Sequence, residues 1–241
     1  QTPLLLVNLA LGYSRLVPVS VDAIVALKAR SQSKMRLTSV LGDTAREALV
    51  EAMARDVLSC LLMHPEIEAV HVVAGEGWSE GDPLPRGVTL WREADWPVSG
   101  LVQAYELMAE KASAERLLFI HADLPCLDQE GVSAVIEASA ERHAVLCPDH
   151  AEVGTNALLR WRDQPLPLCF GDDSLRRHQH AAGVASVPWR AVRQPGLSLD
   201  IDLPADLDRV RRGDAPIGER TSAWFQGYQV DLTVDATQHA P

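Results

Sequence analysis

Short apolar runs alternate along this chain with longer stretches in which apolar residues recur every three or four positions. The first run, Val21–Leu27, is partly β-branched and suits a buried strand. A polar, basic stretch from Lys28 to Arg36 follows it. Asp43 and Thr44 offer a helix N-cap, and Ala48, Ala52, Val57, Leu58, Leu61 and Leu62 mark one apolar stripe beyond them. Residues 69–74 and 88–91 predict two further strands, and residues 99–111 a helix with Leu101, Ala104, Tyr105 and Met108 on one side.

The pattern continues with a strongly apolar strand over residues 116–121 and a helix capped by Asp128 that reaches about Ala140. Residues 144–147 and 156–160 are two more strand candidates, a helix is expected from Asp173 to about Ala182, and a strand near residues 184–187. A turn at Pro195 and Gly196 opens an extended run through Asp202, and Pro204 starts a last helix at its favoured first position. Strands alternating with helices predict one α/β domain whose mostly parallel sheet carries helices on both faces. That domain is expected over residues 21–212, between an N-terminal arm (1–20) and an irregular C-terminal tail (213–241). In such sheets ligands bind beyond the carboxyl ends of strands, so the loops there are the ones to search.

Composition narrows the partners. The 241 residues are 47% hydrophobic and carry a formal net charge of −11. That balance argues against wrapping nucleic acid, which rewards basic surfaces. Cys60, Cys126, Cys147 and Cys169 are well separated, with no Cys-x-x-Cys pair, and read as free thiols of a cytoplasmic protein. The apolar opening from Gln1 to Leu11 is too short to span a bilayer and reads as a packed arm, reasonable at a homodimer contact.

Four segments could carry chemistry. Lys28, Lys34 and Arg36 place three cations on one loop, enough to hold a triphosphate, although the same residues also make a solvated basic loop. Asp123 follows an apolar strand, where its carboxylate could hold Mg²⁺ or merely cap a turn. Asp200 and Asp202, two apart on an extended chain, would face one way, and Asp202 is alternatively a helix cap. Gly154, Thr155 and Asn156 join with a segment containing Gly171, Ser174, Arg177 and His178, where a helix N-terminus favours a phosphate or carboxylate. Taken singly, Ser174 is as readily a cap and His178 a surface histidine. No P-loop and no dinucleotide fingerprint is present.

Five motifs in order resemble the guanylyltransferase family of coenzyme F-420 biosynthesis, whose members use 2-phospho-L-lactate, phosphoenolpyruvate or 3-phospho-D-glycerate. They are Ala26-Leu27-Lys28-x5-Lys34-x-Arg36-Leu37, His121-Ala122-Asp123-Leu124-Pro125-x-Leu127, and residues 154–159. The fourth is Phe170-Gly171-x2-Ser174-x2-Arg177-His178, and the fifth runs from Pro195 to Leu207 through Asp200 and Asp202. The resemblance covers roughly residues 21 to 210.

The resemblance implies a nucleotide-diphospho-sugar transferase-like fold, close to molybdenum-cofactor guanylyltransferases, with GTP as donor and Mg²⁺ as metal. It places Asp123, Asp200 and Asp202 at the metal, Lys28, Lys34, Arg36 and Ser99 at GTP, and Lys28, Lys34 and Asp123 in catalysis. Thr155, Gly171 and Ser174 would line the acceptor pocket, with Arg177 and His178 nearby. Departures from the family's pattern include Ala29 after Lys28, and Val98 and Ser99 where many relatives carry Leu-Asn. The rival readings are a nucleotidyltransferase of the same fold acting on molybdopterin or a sugar phosphate, and a non-catalytic nucleotide binder.

Overall fold

The computed structural model describes residues 20–78, 84–95, 100–213 and 215–228. Strands β1 (Val21–Leu27), β2 (Ile67–Ala74), β3 (Val88–Arg92), β4 (Arg116–His121), β5 (Ala144–Pro148), β6 (Thr155–Trp161) and β7 (Trp189–Ala191) form one sheet in the order β3-β2-β1-β4-β6-β5-β7. Only β6 runs against its neighbours; the other pairings are parallel. The helices are α1 (Asp43–Met63), α2 (Leu101–Lys111), α3 (Gln129–Ala138), α4 (Ser174–Val184), α5 (Pro195–Ser198), α6 (Pro204–Arg212) and α7 (Glu219–Gly227).

Alternate residues of the central strands feed two separate cores, as the two-residue strand period requires. Val21, Ala23, Val25, Leu118 and Ile120 pack under α1 and α3. Ile24, Leu117 and Phe119 pack against Tyr105 and Met108 of α2 and Leu175 of α4 on the opposite face. A third cluster, with Leu49, Met53, Ile201, Leu207 and Trp224, ties α1 to α6 and α7. One charged residue sits inside β1. Asp22 is fully buried and accepts hydrogen bonds from the backbone N–H groups of Ser113 (2.7 Å) and Ala114 (3.0 Å), so its charge is not left unpaired.

Several sequence expectations need correction. Residues 184–187 are no strand: α4 runs to Val184, and the Val187 N–H closes that helix on the Ala182 carbonyl, so the apolar residues end a helix. The strand falls later, at Trp189–Ala191. Residues 197–202 form no strand either, although Leu199 is extended. A single helical turn, α5, leads into a loop, because Pro195 presets the backbone for a first turn. Gly42 rather than Asp43 caps α1, and Asp43 pairs with Arg46 instead. Residues 219–227, expected in an irregular tail, form α7 with Trp224 buried and its indole N–H on the Ala45 carbonyl. The N-terminal arm through residue 19 and Ser99 lie outside the described residues.

Candidate active site

Sheet register explains why distant residues meet. β1 and β4 are parallel neighbours with Ala26 opposite His121, so the loops after Leu27 and after His121 leave the sheet side by side. β6 begins beside the end of β4, with Ala157 opposite Ile120, which brings Thr155 and Asn156 to the same rim. The Asp200 loop is pinned there by a bond from the Ile201 N–H to the Asp123 carbonyl (3.3 Å). Gly196 makes this possible. A Cβ at that position would lie 2.3 Å from the Cys126 carbonyl oxygen, so only glycine lets the two loops close.

Asp123, Asp200 and Asp202 converge, each offering an oxygen within 4.8 Å of the others. The Lys34 ammonium hydrogen-bonds both Asp123 and Asp202. Burial alone would depress that ammonium, but the two carboxylates outweigh it and hold Lys34 above its ordinary value, charged throughout the neutral range. For Asp123, burial works upward, and the opposing charges of Lys34 and His121 bring the carboxyl below its usual range. Asp200 is pushed up to about 6 by burial and by the charge of Asp123, against a hydrogen bond from Asn156. Three carboxylates thus face one ammonium, a cluster suited to a hard cation. Oδ1 of Asp123 is buried without a hydrogen-bond partner, an acceptor such a cation would satisfy. These residues fit a divalent metal.

Two residues support the acids in a way the sequence did not indicate. Asn156 donates its side-chain N–H to Asp200 (3.1 Å) and to the Leu197 carbonyl (3.1 Å), fixing the carboxylate's direction. Asp206 accepts from the backbone N–H groups of Asp202 (3.0 Å) and Leu203 (2.8 Å), capping α6 and setting the turn that carries Asp202. The sequence grouped Asn156 with Gly154, Thr155 and the Gly171–Ser174 segment, whereas its side chain turns to Asp200. Asp206, two residues after Pro204, fits the acidic first turn of a helix.

A cavity of about 730 Å³ opens from this cluster, lined by Lys28, Lys34, Trp78, Glu93, His121 and Asp123 among others. Arg36 is exposed and lies outside that lining. Thr155, Gly171, Ser174, Arg177 and His178 also lie outside it. Ser174 is buried at the start of α4, Arg177 is exposed, and Gly171 takes a positive φ of 108°. His178 is buried rather than superficial. Its Nε2 accepts from the Cys169 N–H (2.8 Å) and its Nδ1 faces the Thr155 hydroxyl (3.1 Å), so both nitrogens are engaged within the protein. Phe170 stands between His178 and the strand end that carries the Asp123 loop, its ring 5.3 Å from that of His121 and 5.0 Å from that of His178.

A mostly parallel sheet with a carboxylate cluster and a long cavity at its carboxyl edge defines a nucleotidyltransferase-type α/β fold. A Desulfovibrio desulfuricans protein of the nucleotide-diphospho-sugar transferase type superposes with a TM-score of 0.68 at 16% identity, over 88% of this chain and 99% of the other. A nucleotidyl transferase from Methanothermobacter gives 0.57 at 18% identity, over 80% and 96%. Sequence narrows the class. Residues 21–214 match the family described as guanylyl transferase CofC like, and the chain belongs to that family. The phosphoenolpyruvate guanylyltransferase of Sphaerobacter thermophilus is 32% identical over 81% of this chain and 94% of its own length. The 3-phospho-D-glycerate guanylyltransferase of Phenylobacterium zucineum is 30% identical over 83% and 93%. Among the described residues no helix is long and apolar enough to cross a membrane.

Proposed function

We propose that this chain transfers GMP from GTP to the phosphate of a small phosphorylated three-carbon acid and releases pyrophosphate, as a step in coenzyme F-420 biosynthesis. The acceptor is 2-phospho-L-lactate, phosphoenolpyruvate or 3-phospho-D-glycerate. The observation that carries the reading is the convergence of Asp123, Asp200 and Asp202 around Lys34 at the end of the 730 Å³ cavity. A cavity of that size suits a nucleotide, and the names of the family relatives supply the transferred group.

Asp123, Asp200 and Asp202 would hold Mg²⁺, which when bound supplies charge neutralisation at phosphate oxygens. Lys34 adds a fixed positive charge beside them, and Lys28, at the cavity wall, meets the outer phosphates. An acceptor phosphate oxygen forms the new bond to the α-phosphorus of GTP, while the α–β bridging bond breaks and pyrophosphate leaves with that electron pair. The acceptor oxygen is already anionic, so no side chain need remove a proton. The chain's own task is positioning and neutralising charge. We assign the acid to Thr155, Gly171 and Ser174, with Arg177 and His178 nearby.

Pyrophosphate release with GTP, Mg²⁺ and the three acids in competition, with mass identification of the product, tests this directly. Asp123→Asn should lower kcat by about 10³-fold while preserving the fold. Near-normal turnover in that variant would sink the metal assignment, and nucleotide binding without any guanylylated product would identify a non-catalytic binder.

A further inference from the structure

We infer that Arg46 is a positioning residue for this reaction, acting through Lys34; the inference rests on guanylyl transfer at the Asp123 cluster. Arg46 is only 1% exposed, although it sits near the solvent end of α1. It lies seven residues, two helical turns, before Met53, which lines the cavity, so its stem follows the same face of the helix. Its Nη1 donates to the carbonyls of Arg30 (3.1 Å) and Ser33, and its Nη2 to Asp43 (2.9 Å). Its two carboxylate neighbours are Asp43, largely exposed, and Glu47 at 3.7 Å, partly exposed, so among the described residues no fully buried counter-ion meets the guanidinium. Burying a cation this way is a poor source of stability compared with a packed apolar side chain.

What the arrangement does fix is a loop. The Ser33 carbonyl belongs to the peptide unit that joins Ser33 to Lys34, and Lys34 stands in the left-handed region (φ 54°, ψ 39°). That conformation is uncommon for a side chain of this kind and persists only where surroundings impose it. The imposed contacts are visible: Arg46 holds the carbonyls at 30 and 33, and the Ser33 hydroxyl bonds the Ala29 carbonyl (2.9 Å). Rotation of the 33–34 peptide would carry Lys34 out of this conformation and its ammonium away from Asp123 and Asp202. The planar fork of arginine serves two carbonyls and a carboxylate together, which a lysine ammonium on a mobile stem does not reproduce. Arg46 therefore sets the direction of Lys34 from beneath the loop, without facing the reacting groups.

The test is a double-mutant cycle of Arg46→Lys with Lys34→Ala, read as pyrophosphate release, beside backbone hydrogen exchange of each variant. Arg46→Lys should lower kcat by tenfold or more in the Lys34 background, and by less than twofold once Lys34 is alanine. Equal losses in both backgrounds would overturn the inference, since Arg46 would then act independently of Lys34. The Leu37 amide, which bonds the Lys34 carbonyl (2.9 Å), should exchange at least tenfold faster in Arg46→Lys while the amides of β1 are unchanged. Unchanged exchange at Leu37 overturns it as well. The exchange reading needs no turnover, so failure of the inferred clamp and failure of the proposed activity give different results.

Discussion

His178 illustrates how much a buried residue can differ from its sequence-level appearance. Burial, together with the nearby charge of Arg177, pushes the imidazole down to about 4. The Cys169 N–H donates to Nε2, so that nitrogen carries no proton and the neutral ring keeps its proton on Nδ1. Protonation would set one N–H against another. The unfolded chain, with an ordinary histidine near 6.5, takes up that proton first as pH falls. The folded pKa is depressed, so the stability this residue contributes is fully present above about 6.5 and is lost as pH falls toward about 4. The amount at stake is about 3 kcal/mol. Thermal melts across this range should show the loss, and His178→Asn, which cannot take the proton, should flatten that part of the curve. An unchanged acid limb in the variant would refute the assignment. The sequence pattern identified this histidine but not its surroundings, because its two partners come from the chain before α4 and from β6, nine and 23 positions away.

At the scale of elements, the segment from Pro195 to Asp202 separates what pattern reveals from what packing decides. Its apolar residues and its proline and glycine were visible in the sequence, yet the run was expected to be extended. Period-two alternation of Leu197, Leu199 and Ile201 fits a strand, but these residues are buried by contact with different elements: Leu197 with α3, and Ile201 with α1 and α6. A short helical turn followed by a loop meets both demands. The two acids still converge on Asp123, because the loop is tied by Asn156, Asp206 and the Ile201 N–H rather than by strand geometry. β1, β2, β4 and the longer helices were legible because each is apolar or periodic over many residues, whereas three-residue β7 was expected too early, at 184–187. α7 was not legible, since its apolar residues, Ala223, Trp224 and Phe225, are consecutive in a nine-residue helix and show no helical period. Gly196→Ala tests the loop closure. With a Cβ 2.3 Å from the Cys126 carbonyl something must shift, at a cost of about 1–3 kcal/mol. The melting temperature should fall, and residual turnover should fall further than the stability loss alone explains. A variant with unchanged melting and turnover would show that the two loops close without the glycine.

For the molecule as a whole, the site exists only when the sheet is assembled. Lys34 and Asp123 come from the loops after β1 and β4, joined by strand register, and Asp200 from a third loop tied to them through Asn156 and the Ile201 N–H. Three carboxylates crowd one ammonium, and Asp200 lies against the charge of Asp123. Crowding like charges in this way works against the folded state unless a cation is held between them. A divalent cation that binds the folded chain alone should therefore stabilise it. At a hundredfold excess over its dissociation constant the gain is about 2.7 kcal/mol, or roughly 5–10 °C for a domain of this size. Asp200→Asn should respond in two opposite ways. With a chelator present, removing one negative charge from the cluster should leave its melting temperature equal to or above that of the parent chain. With Mg²⁺ or Mn²⁺ present, it should gain little and fall below the parent, whose own midpoint rises. Calorimetry of both proteins with and without the cation measures all four midpoints. If Asp200→Asn melts lower than the parent under chelation, Asp200 is a structural acid held by Asn156. If it gains as much from the cation as the parent does, Asp200 is no ligand. The crossing of the two pairs of midpoints is the signature that the acids were assembled to hold a cation rather than to hold the fold.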